Sequence, residues 1–549
     1  MGISGLLDTS RKALNAQSAA IRVLGDNIAN VNTPGYTRRR ADMISTITPN
    51  EGGLEVGTGV DVQRVVRLAD TFLNSELVAR TGDRSKAEIQ SEFLKRAEST
   101  FQLDDGTGKI GYQLEEFFGA LQDLQASPAS IPLRTQVIQN GQDLSNSINA
   151  SYNSLAQLQR EADDRIKITI ADINRLSQSI AQANREIVNS EFGEQEALTL
   201  RDQRDSLMLQ LGEKISFKSV ENSSGEVTVY LPNGYALVNG SSYNGLNTSN
   251  SPTFAPPGGF PPGLDGQALS SIVYTVGGTT DVDLTNVIAG GSGELAGLLS
   301  LRGTQAVTDT STFQANGKLV EYAGRIEGIT RDLLVRFNAE YRGPDADTSA
   351  AGYTPSAFDL DGNNPAVFGL FSFTGAAAGN NFGDNDNDGI ASNTDLDAIV
   401  TAGTVSNYSS KLVFNVTSER SFAAARDLDL ATAASPYAQG DSSNLVALLQ
   451  QKEATASFNV GTFSLSTTID GLYSLTVSYV GGASARAQND LAVYSDRESQ
   501  IKELQQSFAG VNLDEEFAQL IKFQQAFQAS SRLIKTGSDL TNEIMNLLG

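Results

Sequence analysis

Apolar residues recur at helical spacing at both ends of the chain, and the spacing changes between them. From the N-terminus the series Ile3, Leu7, Ser10, Leu14, Gln17, Ile21, Leu24, Ile28, Val31 advances by alternating steps of four and three, which defines a heptad seam. Ser10 and Gln17 are polar, which weakens the seam and can help to set register. The pattern predicts a helix that stops at Asn32-Thr33-Pro34-Gly35. Pro34 drives Thr33 away from helical angles, and Pro-Gly suits the two central positions of a type II turn. The other end mirrors this. Asn512 predicts an N-cap, and Asp514, Glu515 and Glu516 favour the positive end of the helix that follows. Its stripe reads Leu513, Phe517, Leu520, Gln524, Phe527, Ser531, Ile534, with Ile521 beside it. It continues past Gly537 with Leu540, Ile544, Leu547 and Leu548. A single helix cannot bury its own stripe, so each end requires a partner helix.

Between the ends the period alternates. Helical spacing predicts helices over 64–99, 112–126, 134–190 and 195–211, the third very long with Gly141 as a weak point. From Ile215 the period falls to about two. Val227–Tyr230 and Tyr235–Val238 flank Pro232-Asn233-Gly234, a hairpin signal, and the Gly- and Pro-rich stretch 251–263 reads as a loop. Helix returns at Gly293 and is expected to persist to Tyr341. The stretch 342–482 reads as strand and loop, with Lys411–Val416 and Tyr473–Tyr479 as examples, and helix resumes near Ala483.

The fold class expected is therefore mainly α with β-rich insertions. The N- and C-terminal helices pair in a coiled-coil layer, beside a long-helix bundle and outer β-rich domains. The expected units are nested: 1–45 with 510–549 as the terminal layer, 46–214 with 291–341 and 483–509 as the bundle, and 215–290 with 342–482 outside.

Composition narrows the chemistry. The chain has no Cys, no His and no Trp. Disulfides, the usual zinc and haem ligand sets, and Ser-His-Asp or Cys-His catalysis are excluded. Lys and Arg number 40 against 64 Asp and Glu, a net charge of −24, which argues against nucleic-acid and anionic-membrane partners. No apolar run approaches the length of a membrane span. The N-terminal residues lack the pattern of a cleaved secretory signal. The acidity sits centrally: 341–490 holds 16 acids and 6 bases, whereas 1–49 holds 3 acids and 6 bases.

Several blocks resemble a known family. Asp26 to Tyr36, including Asn27, Ile28, Ala29, Asn30, Asn32, Thr33, Pro34, Gly35 and Tyr36, is similar to the N-terminal signature of bacterial flagellar axial proteins, the rod, hook and hook-associated proteins. Thr37-Arg38 resembles the hook-associated branch that joins hook to filament. Blocks 57–74, 111–134 (Phe117, Phe118, Pro128, Arg134), 200–205, 293–299 and 511–548 resemble that family in the same order.

The resemblance implies a structural assembly protein, not an enzyme, located outside the cell at the hook–filament junction; the alternatives are another axial protein, hook or distal rod, or a secreted calcium-binding adhesin. The resemblance also implies export through the flagellar type III apparatus without a cleaved signal, and a ring in the axial tube. The implied partners are further copies of the chain, hook protein, a second junction protein and an export chaperone at the C-terminal helix. The implied assembly residues are Ile3, Leu7, Leu14, Ile21, Leu24, Ile28 and Val31 at one end, and Phe517, Leu520, Ile521, Phe527, Ile534, Leu540, Ile544 and Leu547 at the other.

Three local motifs stand apart from that pattern. Asp384, Asp386, Asp388, Ile390 and Asp395 occupy the ligand positions of a calcium loop, with Gly389 at its sixth, turning place and Asp at the twelfth, so Ca2+ is a candidate ligand although no cofactor is required. The alternative is a solvated acidic turn. Residues 105–110 hint at a phosphate loop but lack its first Gly and its Ser/Thr. Arg38-Arg39-Arg40 is either a solvated bend or a contact for acidic surfaces of neighbouring subunits.

Overall fold

The computed structural model describes residues 3–46, 50–51, 54–55, 58–101, 109–191, 195–249, 264–265, 267–276, 280–304, 317–342, 357–361, 369–373, 408–426, 440–460 and 463–548. It is mainly helical, with several small antiparallel sheets.

The terminal helices α1 (Ile3–Ala29) and α12, the last helix (Leu513–Leu548), lie side by side. They run antiparallel: Asn27 bonds Glu516 at one end, and Leu7 meets Gly537 at the other. A hairpin of strands Arg39–Ser45 and Val60–Arg67 packs on α1 as well. The helix expected from Arg64 therefore begins later, as α2 (Thr71–Phe101). Valines in the 60–66 stretch suit the strand, and Asp70 accepts from the amides of Phe72 (2.8 Å) and Leu73 (3.1 Å), which caps α2. The hairpin also crosses the expected boundary at 45/46.

The bundle is built around α4 (Ile131–Ser190), 60 residues and so about 90 Å long. Its buried positions Leu144, Ile148, Tyr152, Leu155, Ala162, Ile166, Ile173, Ile180 and Ile187 keep helical spacing along the whole length. Against it pack α3 (Ile110–Ala126), α5 (Leu198–Lys214), a short α6 (Thr285–Ala289) by way of α7 (Glu294–Arg302), and α8 (Lys318–Asp332). Helix α8 continues through a π-helical turn, Leu333–Phe337, into α9 (Asn338–Arg342). Helix does not persist from Gly293 to Tyr341: α7 ends at Gly303, where φ is +95°, and α8 begins at Lys318.

Among the described residues of 342–482 two α-helices replace expected strand or loop. One is α10 (Ser443–Glu453). The other is α11 (Ile469–Ala509), which includes the Tyr473–Tyr479 stretch. That stretch is rich in β-forming residues, but Ile469, Leu472, Tyr473, Thr476, Val480, Ala483 and Ala487 form one buried helical face. Thr468 Oγ1 caps its start by accepting from the Gly471 amide at 3.1 Å. Helix α11 runs antiparallel to α2: Tyr473 OH donates to Phe101 O, Thr81 Oγ1 to Glu498, and Gln505 to Asn74.

The small sheets decorate this frame. A four-stranded sheet (Lys218–Glu221, Val227–Tyr230, Ala236–Asn239, Ser242–Tyr243) and a three-stranded one (Leu246–Ser249, Ser271–Val276, Thr280–Asp283) follow α5. Strands Phe371–Phe373 and Leu412–Phe414 pair beside α4. Phe117 meets Phe371 and Phe414 there edge to face.

Candidate functional site

The end of α1 and the start of α12 form the most elaborate polar junction at the terminal layer. The Asp26 carbonyl accepts from the Asn30 amide (3.0 Å) and side chain (2.9 Å), closing the last turn of α1. The Thr33 carbonyl then accepts from the Tyr36 amide at 3.2 Å and Gly35 takes φ of +79°, the geometry of a type II turn. An L side chain is strained at that φ, so glycine suits the position.

The turn brings the chain back to Asn27, whose side chain is fully buried. Its Nδ2 donates to Arg39 O and Glu516 Oε2, both at 2.9 Å. Its Oδ1 accepts from Tyr36 OH (2.9 Å) and the Arg39 amide (3.0 Å). All four bonding capacities are used. Glu516, also fully buried, accepts Arg38 Nε at 2.7 Å through its other oxygen, and Arg38 reaches Glu515 at 3.0 Å. Burial pushes the Tyr36 hydroxyl up to about 12, against the opposing pull of Arg39, whose guanidinium lies 4.8 Å from the ring centre. It is therefore a hydrogen-bond donor at neutral pH.

The junction extends into the bundle. Arg39 donates to Thr199 (3.0 Å) and Asp202 (3.4 Å), and Arg67 to Asp202 and Asp205, both at 2.9 Å. Two of the three consecutive arginines are thus occupied within the chain. Only Arg40, paired with Asp42 at 3.0 Å, stays largely exposed. The expectation of a solvated bend or an intersubunit contact fits neither Arg38 nor Arg39.

The signature residues divide by role. Asn27 and Tyr36 make the contacts. Ile28 and Asn30 are half-buried, and Ala29, Asn32, Thr33, Pro34 and Gly35 are exposed and shape the turn. At α12, Asn512 Oδ1 accepts from the Asp514 amide (3.0 Å) and the Glu515 amide (3.4 Å), a cap at the expected residue.

The stripes lie differently from the sequence pattern. On α1 the buried residues are Ser10, Ala16, Ala20, Leu24 and Asn27, because the helix is held between the hairpin and α12. Leu7, Leu14, Ile21, Ile28 and Val31 are half-buried; for Ile3 only the backbone is described. On α12 the inward row is Glu516, Leu520, Phe523, Phe527, Ser530, Ile534 and Gly537. Leu520, Phe527 and Ile534 were expected in the stripe. Phe517 and Ile521 instead remain 48% and 55% exposed, and Leu540 and Ile544 are exposed too. The side chain of Leu547 lies outside the described residues. Glu516 takes the inward place beside Phe517 because Asn27 and Arg38 meet its charge. A cavity of about 320 Å³ opens between α1, α12 and the first hairpin strand.

Asp384, Asp386, Asp388, Ile390 and Asp395 lie outside the described residues, as does most of 105–110. Among the described residues no group of three or more acidic side chains could hold a metal ion, and no helix is long and apolar enough to cross a membrane.

Residues 94–350 match the family described as "Flagellar hook-associated protein FlgK helical domain". Over 99% of the chain it is 24% identical to "Flagellar hook-associated protein 1" of Escherichia coli (strain K12), of which 100% is covered. It is 23% identical, again over 99%, to the protein of that name from Bacillus subtilis (strain 168), covering 98% of it. The chain thus carries the helical domain of that family and is similar over nearly its whole length to flagellar hook-associated protein 1. This is a family of structural flagellar proteins and not one of enzymes.

The two ends of the chain match other families of axial proteins. Residues 7–37 match "Flagella basal body rod protein", and 506–547 match "Flagellar basal body rod FlgEFG protein C-terminal". Both matches include residues of the Asn27–Glu516 junction. The fold is similar to that of the flagellar hook junction protein FlgK from Burkholderia pseudomallei, with a TM-score of 0.55 and 16% identity over 79% of this chain and 100% of that one.

Proposed function

We propose that this chain forms the ring that joins hook to filament, and that the ring is the template for the second junction protein and then for filament growth. The match to hook-associated protein 1 relatives over nearly the whole length carries this reading. The terminal layer supports it physically. Its half-buried and exposed Leu, Ile and Phe residues each gain a part of the about 1.5–3 kcal/mol of complete burial when a neighbouring copy covers the surface they still expose. Subunit contact would then complete what the helix pair leaves open. In this reading the chain sits on hook protein outside the cell. It reaches that place through the flagellar type III apparatus without a cleaved signal, with α12 held by an export chaperone beforehand.

Gene deletion followed by electron microscopy tests the reading. The expected result is complete hooks that lack filaments, with filament protein shed into the medium. Normal filaments would overturn it, and missing hooks would place the chain elsewhere in the axial structure.

The calcium spacing at 384–395 is part of the same proposal only as an outer-domain ligand site. Calorimetry should show calcium heat in the parent chain that Asp386→Ala and Asp388→Ala remove. No heat in the parent rejects the site.

A further inference from the structure

Asparagine stands directly before glycine at Asn140, Asn233, Asn239, Asn244 and Asn316. Glycine has no side chain to keep its amide nitrogen away from the asparagine side-chain carbonyl, so such a pair can close a ring wherever it is free to move. Asn316 lies outside the described residues, and the fold treats the other four differently. Asn140 sits inside α4, where the Gly141 amide is committed to the helix ladder, and its Nδ2 donates to Glu116 O at 2.9 Å. At Asn233 the attacking nitrogen is engaged: the Gly234 amide donates to Leu231 O at 2.9 Å, and Asn233 Oδ1 accepts from the Tyr235 amide at 3.3 Å. At Asn244 the side chain is held, with Nδ2 donating to Ala236 O at 2.9 Å. Asn239 has no such restraint. Its side chain is exposed, and neither that side chain nor the Gly240 amide has a hydrogen-bond partner among the described residues. Asn239 also ends its strand, and the partner there, Ser242–Tyr243, is a two-residue strand at the edge of the four-stranded sheet. Only the pairs Val238–Tyr243 and Asn239–Ser242 must part to free the loop, and such local opening at the end of a sheet costs far less than global unfolding.

We propose that Asn239 is a site of spontaneous deamidation, the first of these four to convert in the folded chain. The Gly240 amide nitrogen gives its proton to hydroxide and attacks Asn239 Cγ. The N–Cγ bond forms, the Cγ–Nδ2 bond breaks, and ammonia leaves with a proton from water. Water then opens the five-membered imide. Addition at Cγ gives aspartate, and addition at the backbone carbonyl carbon gives isoaspartate, in which the chain runs through the side chain. No oxidant or cofactor takes part. Isoaspartate adds one carbon to the backbone between strand Ala236–Asn239 and its loop. The loop is tied to α4 just there: Gly240 O accepts from the buried Asn184 Nδ2 at 2.7 Å, and Ser241 O accepts from Arg185. The extra carbon displaces both carbonyls, so the conversion loosens the edge of the sheet from α4.

The full chain, held folded at mildly alkaline pH, is sampled over time and digested with chymotrypsin, which separates the three sheet sites at Tyr235 and Tyr243. Mass spectrometry should find the amide-to-acid change first at Asn239. Each hydrogen bond that must break beforehand slows Asn140, Asn233 and Asn244 by up to about tenfold. In denaturant the four sites should convert at similar rates, because the bonds that distinguish them are gone. A folded chain in which Asn239 converts no faster than the other three overturns the assignment. So does a denatured chain that keeps Asn239 equally far ahead, since sequence and not fold would then set the order. Asn239→Gln should abolish the early product and leave the melting temperature unchanged, because the side chain is exposed; an early product that persists in this variant rejects the site. Hydrogen exchange on the converted chain should be faster at 240–243 and unchanged along α4. Unaltered exchange at 240–243 overturns the loosening.

Discussion

Asn27 shows how much one side chain can decide. Its amide links the end of α1, the turn that follows and the start of α12 through four bonds of 2.9–3.0 Å. A hydrophobic residue of similar size would fill the space and leave Glu516, the Tyr36 hydroxyl and two backbone groups of Arg39 each short of a partner, at about 1–3 kcal/mol apiece. The bundle contains a comparable case. Arg302, fully buried, bonds Asp163 and donates to Ser270 O at 2.7 Å, while Asp163 also accepts from the Ser270 amide and hydroxyl, both at 3.0 Å. Asp163→Ala strands a buried guanidinium and should destabilise the chain by about 3–5 kcal/mol in chemical denaturation. A change below 1 kcal/mol would mean that the pair is not isolated from solvent as described. The adjacent acids behave as helical neighbours should. Asp163 is buried and Asp164 exposed on Lys167; Glu516 is buried and Glu515 exposed.

At the scale of elements, glycines separate what sequence can and cannot say. Within α4, Gly141 reads as a weak point, because glycine lowers helix stability. In the fold it is a contact: a Cβ there would stand 2.4 Å from the Phe414 ring, which belongs to the strand lying on α4. Gly119, exposed on α3, has nothing within 4 Å of its notional Cβ. Gly119→Ala should therefore stabilise by about 0.5–1 kcal/mol, and Gly141→Ala should destabilise by about 1–3 kcal/mol despite the same gain in propensity. Thermal melts that shift in the same direction for both would contradict the packing described. The terminal helices carry a prediction of another kind. Their incompletely buried stripes imply that amide hydrogens of α1 and α12 exchange faster than those of α4 in the free subunit, and become protected in isolated flagella. Equal protection of all three in the free chain would show that no ordering accompanies assembly.

For the molecule as a whole, helices from widely separated stretches of chain must come together, and charge holds several of the joins. Burial alone would raise Glu294, which joins α7 to the rest of the bundle, but Lys214 at 2.6 Å and Arg165 at 2.8 Å more than offset it. Its carboxyl is held below the ordinary range. With the folded value depressed, the unfolded chain binds more protons as pH falls. The stabilisation is present above the unfolded value and is lost as pH drops through the folded one. The difference in melting temperature between the parent chain and Glu294→Gln should accordingly be widest near neutrality and narrow below about pH 4. A gap that widens on acidification would have the wrong sign. Glu327 works in the opposite sense. Complete burial raises it, although Arg331, the Ser409 hydroxyl and the amides of Ser409 and Tyr408 pull it down.

Local features could be read directly because their causes are local. The Thr33–Tyr36 turn follows from Pro34 and Gly35, the α12 cap follows from Asn512, and the length of α4 follows from an unbroken apolar period. Partners decided the rest. Val60–Arg67 and Tyr473–Tyr479 contain residues that suit either strand or helix. The first became a strand because Arg39–Ser45 lies beside it, and the second a helix because α2 does. The stripe on α12 offered two neighbouring faces of similar apolarity, Phe517 with Ile521 or Phe523 with Ser530. A heptad period cannot choose between them. The choice fell to a single buried carboxylate, Glu516, which can leave water only where Asn27 and Arg38, nearly five hundred residues away in the chain, replace the bonds that water would supply.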